Sequence, residues 1–388
     1  MTGDQVLAFR RGEWRTSLDT VELPGSTGTR LALVPEIVAH ADRRWWDSAR
    51  PTLPTLTGRR ELLLTALELF DRATLTVGGV GEQSAQDFRA ALQDSAGLPG
   101  PLVDRWCEML HTDVLKRGQA PVPDERLTLV ALPGNTFTCL VSVCDQAERS
   151  AGVWVRPSRR EPLSAARLVA ALLAAGWPAS RIGLYPAEQR ALHGLLRLTD
   201  RHVVYGGAGL AAALRDSPSL TLHGPGRGCA LVPSDLSTAD AVEWLLPLVA
   251  ADSGRFCSNV RTVVCAHPEA ARSLAIALAA ALDALRPDGT WPLAAFREPG
   301  AARSAARSVS DRLRPADRLL TRRAATDSLA PPQLVLLDGH FATPDPHPLI
   351  GHEVPFPFAA VLSAEPAATA AITADSLFVY RPAKRGPA

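Results

Sequence analysis

The sequence predicts an α/β protein built on a doubly wound parallel sheet and preceded by a helical N-terminal region. From residue 126 onward, short apolar runs alternate with amphipathic helical patterns. Strand–helix–strand units of this kind form parallel sheets. A chain of 388 residues, 46% of them hydrophobic, is long enough for more than one domain. We therefore expect a helical region over 1–125, a Rossmann-like domain over 126–228 and a second α/β domain over 229–388.

The N-terminal region shows helical patterns and one capping signal. Apolar residues at helical spacing predict helices over 59–72 and around 102–110. Ser84 is a candidate helix cap, although the usual partner three residues later is Glu or Gln and this chain has Asp87.

The Rossmann-like domain is predicted from four apolar runs and the helices between them. The runs that read as buried strands are 127–132, 152–155, 182–185 and 203–205. Helical patterns follow three of these strands, over 165–175, 187–198 and 210–215. This alternation is what places the strands in one parallel sheet.

Composition and charge exclude several functional classes. The net charge of +1 gives no general attraction to nucleic acid or an anionic membrane, and the longest apolar run, 274–282, is too short to cross a bilayer. No basic and apolar leader begins the chain, so we expect a cytoplasmic protein. The cysteines form no CxxC pair and no His/Cys metal spacing, so we expect no metal site. They are Cys107, Cys139, Cys144, Cys229, Cys257 and Cys265.

Cys257 is the candidate nucleophile. It follows Gly254 by three residues and precedes a strand-like run, a pattern that places a thiol at a tight turn. Arg255 and Arg261 flank it, and nearby cations lower the pKa of a thiol. A thiolate in such a turn can attack a carbonyl or thioester carbon and hold the product covalently. The alternative is a buried structural cysteine, which most lone cysteines are.

Two glycine-rich turns are candidates for contact with a ligand. Residues 205–209 read Tyr-Gly-Gly-Ala-Gly between a strand and a helix, where backbone amides can face a phosphate. The full GxGxxG pattern is absent, so a plain tight turn is an equal alternative. The second turn spans residues 224–228, between two apolar runs.

Five motifs occur in a fixed order along residues 126–365. They are LPGNTF at 132–137, WVRPS at 154–158, the glycines 206 and 207, Cys257, and EVPFPF at 353–358. In this order they resemble the aldehyde dehydrogenase superfamily, and within it the thioester-reducing branch that includes LuxC-like acyl-CoA reductases. The resemblance implies an NAD(P)-binding domain over 126–228 and a catalytic domain over 229–388.

The resemblance also implies roles for individual residues. Cys257 matches the family's nucleophile, and Asn135 matches the Asn that helps to form the oxyanion hole. The residues that match the cofactor-binding positions are Arg156, Ser158, Gly206, Gly207, Glu353 and Phe356.

One departure from the family pattern suggests the direction of the reaction. Hydrolytic members carry a Glu base at the place that falls near Leu222 or His223, and no carboxylate is there. The resemblance therefore implies NAD(P)H-dependent reduction of an acyl thioester to an aldehyde. His223 is a candidate acid or base, with a strand-end histidine bonded to backbone as the alternative. Aldehyde oxidation and a non-catalytic binding protein remain the other functions, the latter because the chain ends soon after Glu353.

Arginines suggest the cofactor and the partner. Arg156 stands where the family usually has Lys, and the planar fork of Arg suits phosphate oxygens, which favours NADPH over NADH. The alternative is the chain's general bias, since Lys116 and Lys384 are its only lysines. Residues 301–323 carry seven Arg, a cationic surface that suits an acyl carrier protein or the phosphates of CoA. A solvated surface segment is the alternative, and a homodimer is left open.

Overall fold

A computed structural model describes residues 5–24, 28–48, 55–117, 124–213, 219–224, 226–342 and 347–383 of the chain. The chain divides into two compact units, Met1–His223 and Gly224–Ala388. The predicted functional boundary between residues 228 and 229 stays a prediction.

The first unit begins with short strands that the sequence patterns did not predict. They are β1 (Gln5–Val6), β2 (Ala8–Arg10), β3 (Glu13–Arg15), β4 (Thr20–Glu22) and β5 (Arg30–Ala32). Each has only two or three residues, too few for a period of two to show in the sequence. The strands β1, β5 and β4 form a small sheet of their own.

Helices and one hairpin complete the N-terminal part. They are α1 (Glu36–Ser48), α2 (Leu56–Arg72), β6 (Leu75–Val77), β7 (Gly81–Gln83), α3 (Ala85–Ala96) and α4 (Gly100–Leu115). The helices predicted over 59–72 and around 102–110 are confirmed as parts of α2 and α4. Ser84 caps α3, and the Asp87 side chain accepts the backbone N–H of Ser84 in return. Asp87 thus completes a capping box in the position where Glu or Gln is usual.

A mixed sheet with a parallel centre forms the core of the first unit. Its chain order is β8 (Leu127–Ala131), α5 (Leu140–Arg149), β9 (Gly152–Arg156), α6 (Leu163–Ala174), β10 (Ile182–Leu184), α7 (Leu192–Arg197), β11 (Arg201–Tyr205), α8 (Ala208–Ala213) and β12 (Leu220–His223), with 3₁₀ turns at Ala179–Arg181 and Gln189–Ala191. The four predicted strands are confirmed. Of the helix predicted over 210–215, residues 214 and 215 lie outside the described part.

The strand order defines where this sheet can hold a ligand. The order is β12-β11-β8-β9-β10-β2-β3, and β2 adds antiparallel to β10. The chain leaves β8 toward β9 on one side and leaves β11 toward β12 on the other. The carboxyl ends of β8 and β11 are therefore the topological switch point, where open α/β sheets bind ligands.

The second unit is another doubly wound sheet. Its elements are β13 (Gly228–Val232), α9 (Thr238–Ala250), a 3₁₀ turn (Ala251–Gly254), β14 (Val260–Cys265), α10 (Pro268–Asp283), α11 (Ala301–Ser310), β15 (Arg318–Leu319), β16 (Gln333–Phe341), β17 (Phe358–Ala364), α12 (Pro366–Ala374) and β18 (Phe378–Tyr380). The strand order is β15-β16-β17-β14-β13-β18, parallel except for β15.

Two apolar clusters cover the two faces of this second sheet. One holds buried side chains of α9 and α10, and the other holds those of α11 and α12. Strand residues alternate between the clusters, for example Val263 in the first and Val264 in the second. Every residue of β14 and β17 is buried, as expected for central parallel strands covered on both faces.

Candidate active site

Cys257 lies in a turn that ends where β14 begins, at the amino edge of the second sheet. The side chain of Asn259 holds this turn: its Oδ1 accepts the N–H of Phe256 at 2.8 Å. Its Nδ2 donates to the carbonyls of Leu248 at 3.2 Å and Ala251 at 3.0 Å. Asn259 is only 4% exposed, so these bonds are shielded from water and fix the backbone beside Cys257.

The chain enters this turn through strained backbone. Asp252 and Ser253 both have φ of +56°, in the left-handed region that side chains other than Gly seldom adopt. Ser253 is held there by its Oγ, which accepts the N–H of Ala294 at 2.7 Å. Gly254 follows with φ of +64°, and a Cβ there would come within 3.0 Å of the backbone of Phe356. Gly254 is therefore required by space as well as by conformation.

Arg261 joins the cysteine turn to the segment that carries Glu353. Its guanidinium donates to the carbonyl of Phe356 at 3.0 Å, to that of Val354 at 2.9 Å and to that of Gly254. The side chain is fully enclosed, and burial lowers the pKa of Arg261 to about 10. Its role is thus a buried cross-link between two loops.

Gly226 packs against the backbone of Cys257 and also hydrogen-bonds Glu353. A Cβ added to Gly226 would lie under 3.0 Å from the Cα of Cys257. The N–H of Gly226 donates to Oε2 of Glu353 at 3.2 Å. Of the turn expected at residues 224–228, Pro225 lies outside the described residues. The remaining contacts place the cysteine backbone, a glycine and a carboxylate side by side.

Tyr380 supports the same turn from the edge strand β18. Its hydroxyl donates to the carbonyl of Ser258 at 2.9 Å. Burial raises the pKa of Tyr380, so the hydroxyl keeps its proton as a donor at neutral pH. Nothing in the sequence pairs Tyr380 with Ser258, because 122 positions separate them.

The prediction of a lowered pKa for Cys257 is wrong, although Arg261 acts in the predicted direction. Burial raises the pKa of the Cys257 thiol, and the negative charge of Glu353 raises it further. The N–H groups of Cys257 and Ser258 and the charge of Arg261 act in the opposite direction and offset part of the rise. The Nη2 of Arg255 donates to the carbonyl of Ala295 at 3.1 Å.

These pKa shifts predict a pH dependence for modification of Cys257. Because the thiolate is the reactive form, the rate of alkylation by iodoacetamide is expected to rise with pH into the alkaline range. Glu353→Gln removes the charge that raises the pKa while keeping an oxygen to accept the Gly226 N–H. The alkylation profile of that variant is expected to shift to lower pH, as measured by mass spectrometry of Cys257.

Glu365→Gln is the matched control for this prediction. Glu365 follows β17 at the opposite edge of the sheet, so its variant is expected to keep the wild-type profile. An unshifted profile in Glu353→Gln would show that this carboxylate does not act on the thiol.

Phe356 does not present its ring to a cofactor, contrary to the sequence-based expectation. The residue is 1% exposed, and its ring packs in the apolar cluster with α11 and α12. The alternation of side chains along an extended segment decides this, since Glu353 is exposed and Phe356 faces the core. Phe356 serves the site through its carbonyl, which Arg261 binds.

The candidate cofactor residues of the first unit gather at the carboxyl edge of its sheet. Asn135 follows β8, Ser158 follows β9, and Gly206 and Gly207 follow β11, next to the switch point. A Cβ at Gly134 would come within 3.0 Å of Ser158 Oγ, so the loops after β8 and β9 touch. A Cβ at Gly207 would meet nothing within 4 Å, so its backbone borders open space.

Arg156 ends β9 and is largely turned inward. It is 8% exposed, and its Nη2 donates to the carbonyl of Ala187 at 3.0 Å and to Oε1 of Gln189 at 3.3 Å. Burial lowers the pKa of Arg156 to about 10. Its Nε is buried and has no hydrogen-bond partner among the described residues.

His223 ends β12, and its ring stacks on that of Tyr205 with 4.6 Å between centroids. Burial lowers the pKa of His223, which favours the neutral imidazole. The carbonyl of His223 accepts the N–H of Gly206 at 3.0 Å, and Tyr205 hydrogen-bonds Ser142 at 2.6 Å. The predicted acid or base role of His223 stays a prediction.

Several arginines of residues 301–323 form an ion pair or hydrogen bonds with neighbouring residues. Arg303 pairs with Asp327 at 2.9 Å, Arg312 donates to the carbonyl of Ser308 at 2.6 Å, and Arg323 donates to that of Leu285 at 2.6 Å. Helix α11 ends at Ser310, and the cationic side chains are mainly exposed.

The described part of the chain holds neither a metal-site arrangement nor a membrane-spanning helix. No group of three or more His, Cys, Asp or Glu side chains there has the arrangement of a metal site. None of the helices in that part combines the length and apolarity that crossing a membrane requires.

Comparisons with known proteins place this architecture. No protein-family model matches the chain, and no characterised relative is found among curated proteins. Solved structures do match. A benzaldehyde dehydrogenase from Corynebacterium glutamicum, described as NAD-dependent, is 12% identical over 97% of this chain and 90% of its own, with a TM-score of 0.78.

Two further structures agree. The methylmalonate-semialdehyde dehydrogenase of Oceanimonas doudoroffii is 14% identical over 98% of this chain and 86% of its own, with a TM-score of 0.76. The NAD⁺ complex of an aldehyde dehydrogenase from Bacillus cereus is 14% identical over 96% of this chain and 82% of its own, with a TM-score of 0.70. At such identities the likeness establishes the fold, which is that of the aldehyde dehydrogenases.

Proposed function

We propose that this chain is an NAD(P)H-dependent acyl-thioester reductase that forms an aldehyde through an acyl group held on Cys257. The observation that carries the proposal is the braced turn of Cys257, fixed by Asn259, Arg261 and Tyr380 and bordered by Glu353. A structural cysteine needs none of these supports. The aldehyde dehydrogenase fold and the dehydrogenases named above support the same class of chemistry.

The proposed covalent step uses the groups around Cys257. The Cys257 sulfur attacks the thioester carbon, the carbon–sulfur bond of the substrate breaks, and the carrier thiol leaves with the proton. The N–H groups of Cys257 and Ser258 stabilise negative charge on the sulfur. The fixed backbone matters because a nucleophile displaced by about 1 Å loses on the order of 100-fold in rate. The oxyanion role of Asn135 remains part of the proposal and is tested by Asn135→Ala.

The residues at the carboxyl edge of the first sheet fit a dinucleotide. Gly207 leaves its backbone open at the switch point, and Arg156 carries a buried Nε with no described partner. Ser158, Gly206 and Gly207 would hold the phosphates and ribose. The nicotinamide, when bound, supplies the hydride that reduces the acyl group.

Reduction is proposed over hydrolysis because no carboxylate occupies the place of the hydrolytic base. The residues there are Leu222 and His223, and the neutral imidazole of His223 is a weak activator of water compared with a Glu. Aldehyde oxidation remains the second candidate, since the similar structures include proteins named as benzaldehyde and methylmalonate-semialdehyde dehydrogenases.

One assay separates the two directions. Incubation with an acyl-CoA panel and reduced cofactor is expected to yield aldehyde and free CoA, with little carboxylic acid. Incubation with aldehyde and oxidised cofactor is expected to yield an acyl-CoA only when CoA is added. Acid release without CoA at a comparable rate would establish oxidation and overturn the proposal.

The proposed cofactor preference is for NADPH, with Arg156 as the basis. Its Nε is free of described partners, although Nη2 is bound to Ala187. Arg156→Lys is expected to lower the ratio of kcat/KM for NADPH over NADH by several-fold, because Lys lacks the planar fork. Steady-state kinetics with both cofactors measure this. If the wild-type enzyme uses NADH equally well, Arg156 does not give it a preference for NADPH.

The carrier of the acyl group is proposed to be CoA or an acyl carrier protein. The exposed arginines of residues 301–323 support an anionic carrier, mainly by speeding encounter. The assay above distinguishes the carriers when each is offered with the same acyl chain.

A further inference from the structure

A cavity lies at the carboxyl edge of the second sheet, away from the turn of Cys257. It has a volume of about 250 Å³ and is lined by the first turns of α10 and by the ends of β16 and β17. Cys257 precedes β14 and Glu353 precedes β17, so both lie at the amino edge. The cavity and the candidate active site therefore occupy opposite edges of one sheet.

The cavity lies beside the topological switch point of this sheet. From β14 the chain passes through α10, α11 and β15 to β16, and from β17 it passes through α12 to β18, on the other side. The helices that directly follow these two strands, α10 and α12, cover opposite faces. Cys265 and Ser363, at the carboxyl ends of these two strands, are register partners. Connections that diverge from neighbouring strands leave a crevice, and that crevice is where doubly wound sheets bind ligands.

Two cationic side chains line this cavity without a partner among the described residues. Arg272 comes from α10 and Arg318 from the edge strand β15, and both are exposed. Neither guanidinium has a hydrogen bond or ion pair with a described residue, unlike those of Arg303, Arg312 and Arg323. Two guanidinium groups that line one cavity are suited to a phosphate or carboxylate.

The end of β16 is shaped to present polar groups to the same cavity. Asp338, Gly339 and His340 are exposed after a run of mostly buried residues, and the pairing of β16 with β17 shifts register there. Gly339 has φ of +89°, the conformation that such a bulge requires. Bulges of this kind re-aim side chains, here Asp338 and His340, toward the space beside the sheet.

A chain of hydrogen bonds fixes the imidazole at the cavity wall. His340 Nε2 lies 2.8 Å from Oε1 of Glu365, and Nδ1 lies 3.1 Å from Oγ of Ser363. Because an ionised carboxylate only accepts, Nε2 donates to Glu365, and Nδ1 shares a hydrogen bond with the Ser363 hydroxyl, which also lies 3.3 Å from the carbonyl of Gly339. Ser363 is 2% exposed, so the ring is anchored from within the sheet.

We propose that this cavity binds a small phosphate ester that also carries hydroxyl groups. Arg272 and Arg318 take the phosphate, and the carboxylate of Asp338 accepts hydrogen bonds from the hydroxyls. Because the Asp338 carboxylate repels an anion, a phosphate without hydroxyl groups is expected to bind less well than a phosphate ester that carries them. The site is independent of the proposed reaction at Cys257.

The test uses the full chain, with inorganic phosphate, ribose 5-phosphate and ribose as probes in isothermal titration calorimetry. Ribose 5-phosphate is expected to bind at least 10-fold more tightly than inorganic phosphate, and ribose is expected not to bind. Arg272→Gln with Arg318→Gln is expected to weaken ribose 5-phosphate at least 10-fold. Asp338→Asn is expected to remove the preference for ribose 5-phosphate over inorganic phosphate.

Two controls separate this site from the others. Arg286→Gln, an exposed change just beyond the carboxyl end of α10, and Cys257→Ala are both expected to bind ribose 5-phosphate as wild type does. Wild-type affinity in the double arginine variant would overturn the proposal. So would loss of binding in Arg156→Gln instead, which would place the phosphate at the candidate cofactor residues.

Discussion

Replacing Gly226 by alanine is expected to lower turnover by about 100-fold or more while the chain stays folded. The new Cβ would lie under 3.0 Å from the Cα of Cys257, and its neighbours there are backbone atoms that cannot rotate away. The turn must therefore move, and displacing a nucleophile by about 1 Å costs on the order of 100-fold in rate. Steady-state kinetics with the best acyl thioester measure the loss.

Gly289→Ala is the matched control for this substitution. A Cβ at Gly289 would meet Arg286 at 3.5 Å or more, an ordinary contact, so its activity is expected to stay within about two-fold of wild type. Circular dichroism of both variants shows whether the fold is kept. Near-normal turnover of Gly226→Ala would mean that the position of the cysteine backbone does not limit the reaction.

Replacing Arg261 by alanine is expected to lower the free energy of unfolding by about 3–5 kcal/mol. The substitution leaves the carbonyls of Gly254, Val354 and Phe356 buried without their donor. It also removes the cross-link between the cysteine turn and the Glu353 segment, so activity falls together with stability. Urea unfolding followed by circular dichroism measures the first effect.

Two companion variants make this prediction specific. Arg261→Met keeps much of the volume and loses the hydrogen bonds, so it separates bonding from packing. Arg303→Ala removes an exposed arginine from α11 and its pairing with Asp327, and is expected to cost under about 1 kcal/mol. An Arg261→Ala protein as stable as Arg303→Ala would show that the buried guanidinium does not hold the two loops together.

Apolar runs and helical periodicity predicted much of the fold. The runs at 127–132, 152–155 and 203–205 are apolar at nearly every position, which is typical of strands buried on both faces, and the structure confirms them as β8, β9 and β11. The short N-terminal strands were missed because two or three residues carry no period. Their partners are also distant in sequence: β2 pairs with β10, and β1 pairs with β5.

The candidate site shows a sharper limit of sequence analysis. The sequence placed Cys257 in a turn before a strand, and the structure confirms that placement. It also placed Arg261 beside the thiol, yet adjacency in sequence gives no information about burial or about which way a side chain points. Arg261 faces three carbonyls, and burial and Glu353 control the pKa of the cysteine. Glu353 lies 96 positions after Cys257 in the sequence, so sequence adjacency could not reveal it.

Other supporting residues left only weak signals. Asn259, two positions after the nucleophile, is typical of side chains that bond to nearby backbone, and it was a detectable candidate on that ground. Tyr380 was not, because its contact with Ser258 arises only when β18 joins the edge of the sheet.

Intact mass spectrometry after incubation with a panel of acyl thioesters tests the central claim most directly. The wild-type chain is expected to gain the mass of one acyl group, located on Cys257 by peptide mapping. Cys257→Ala is expected to gain none, whereas Cys265→Ala is expected to be acylated normally, because Cys265 is buried and burial raises its pKa to about 12. An acyl group on another cysteine, or on the Cys257→Ala chain, would contradict the account.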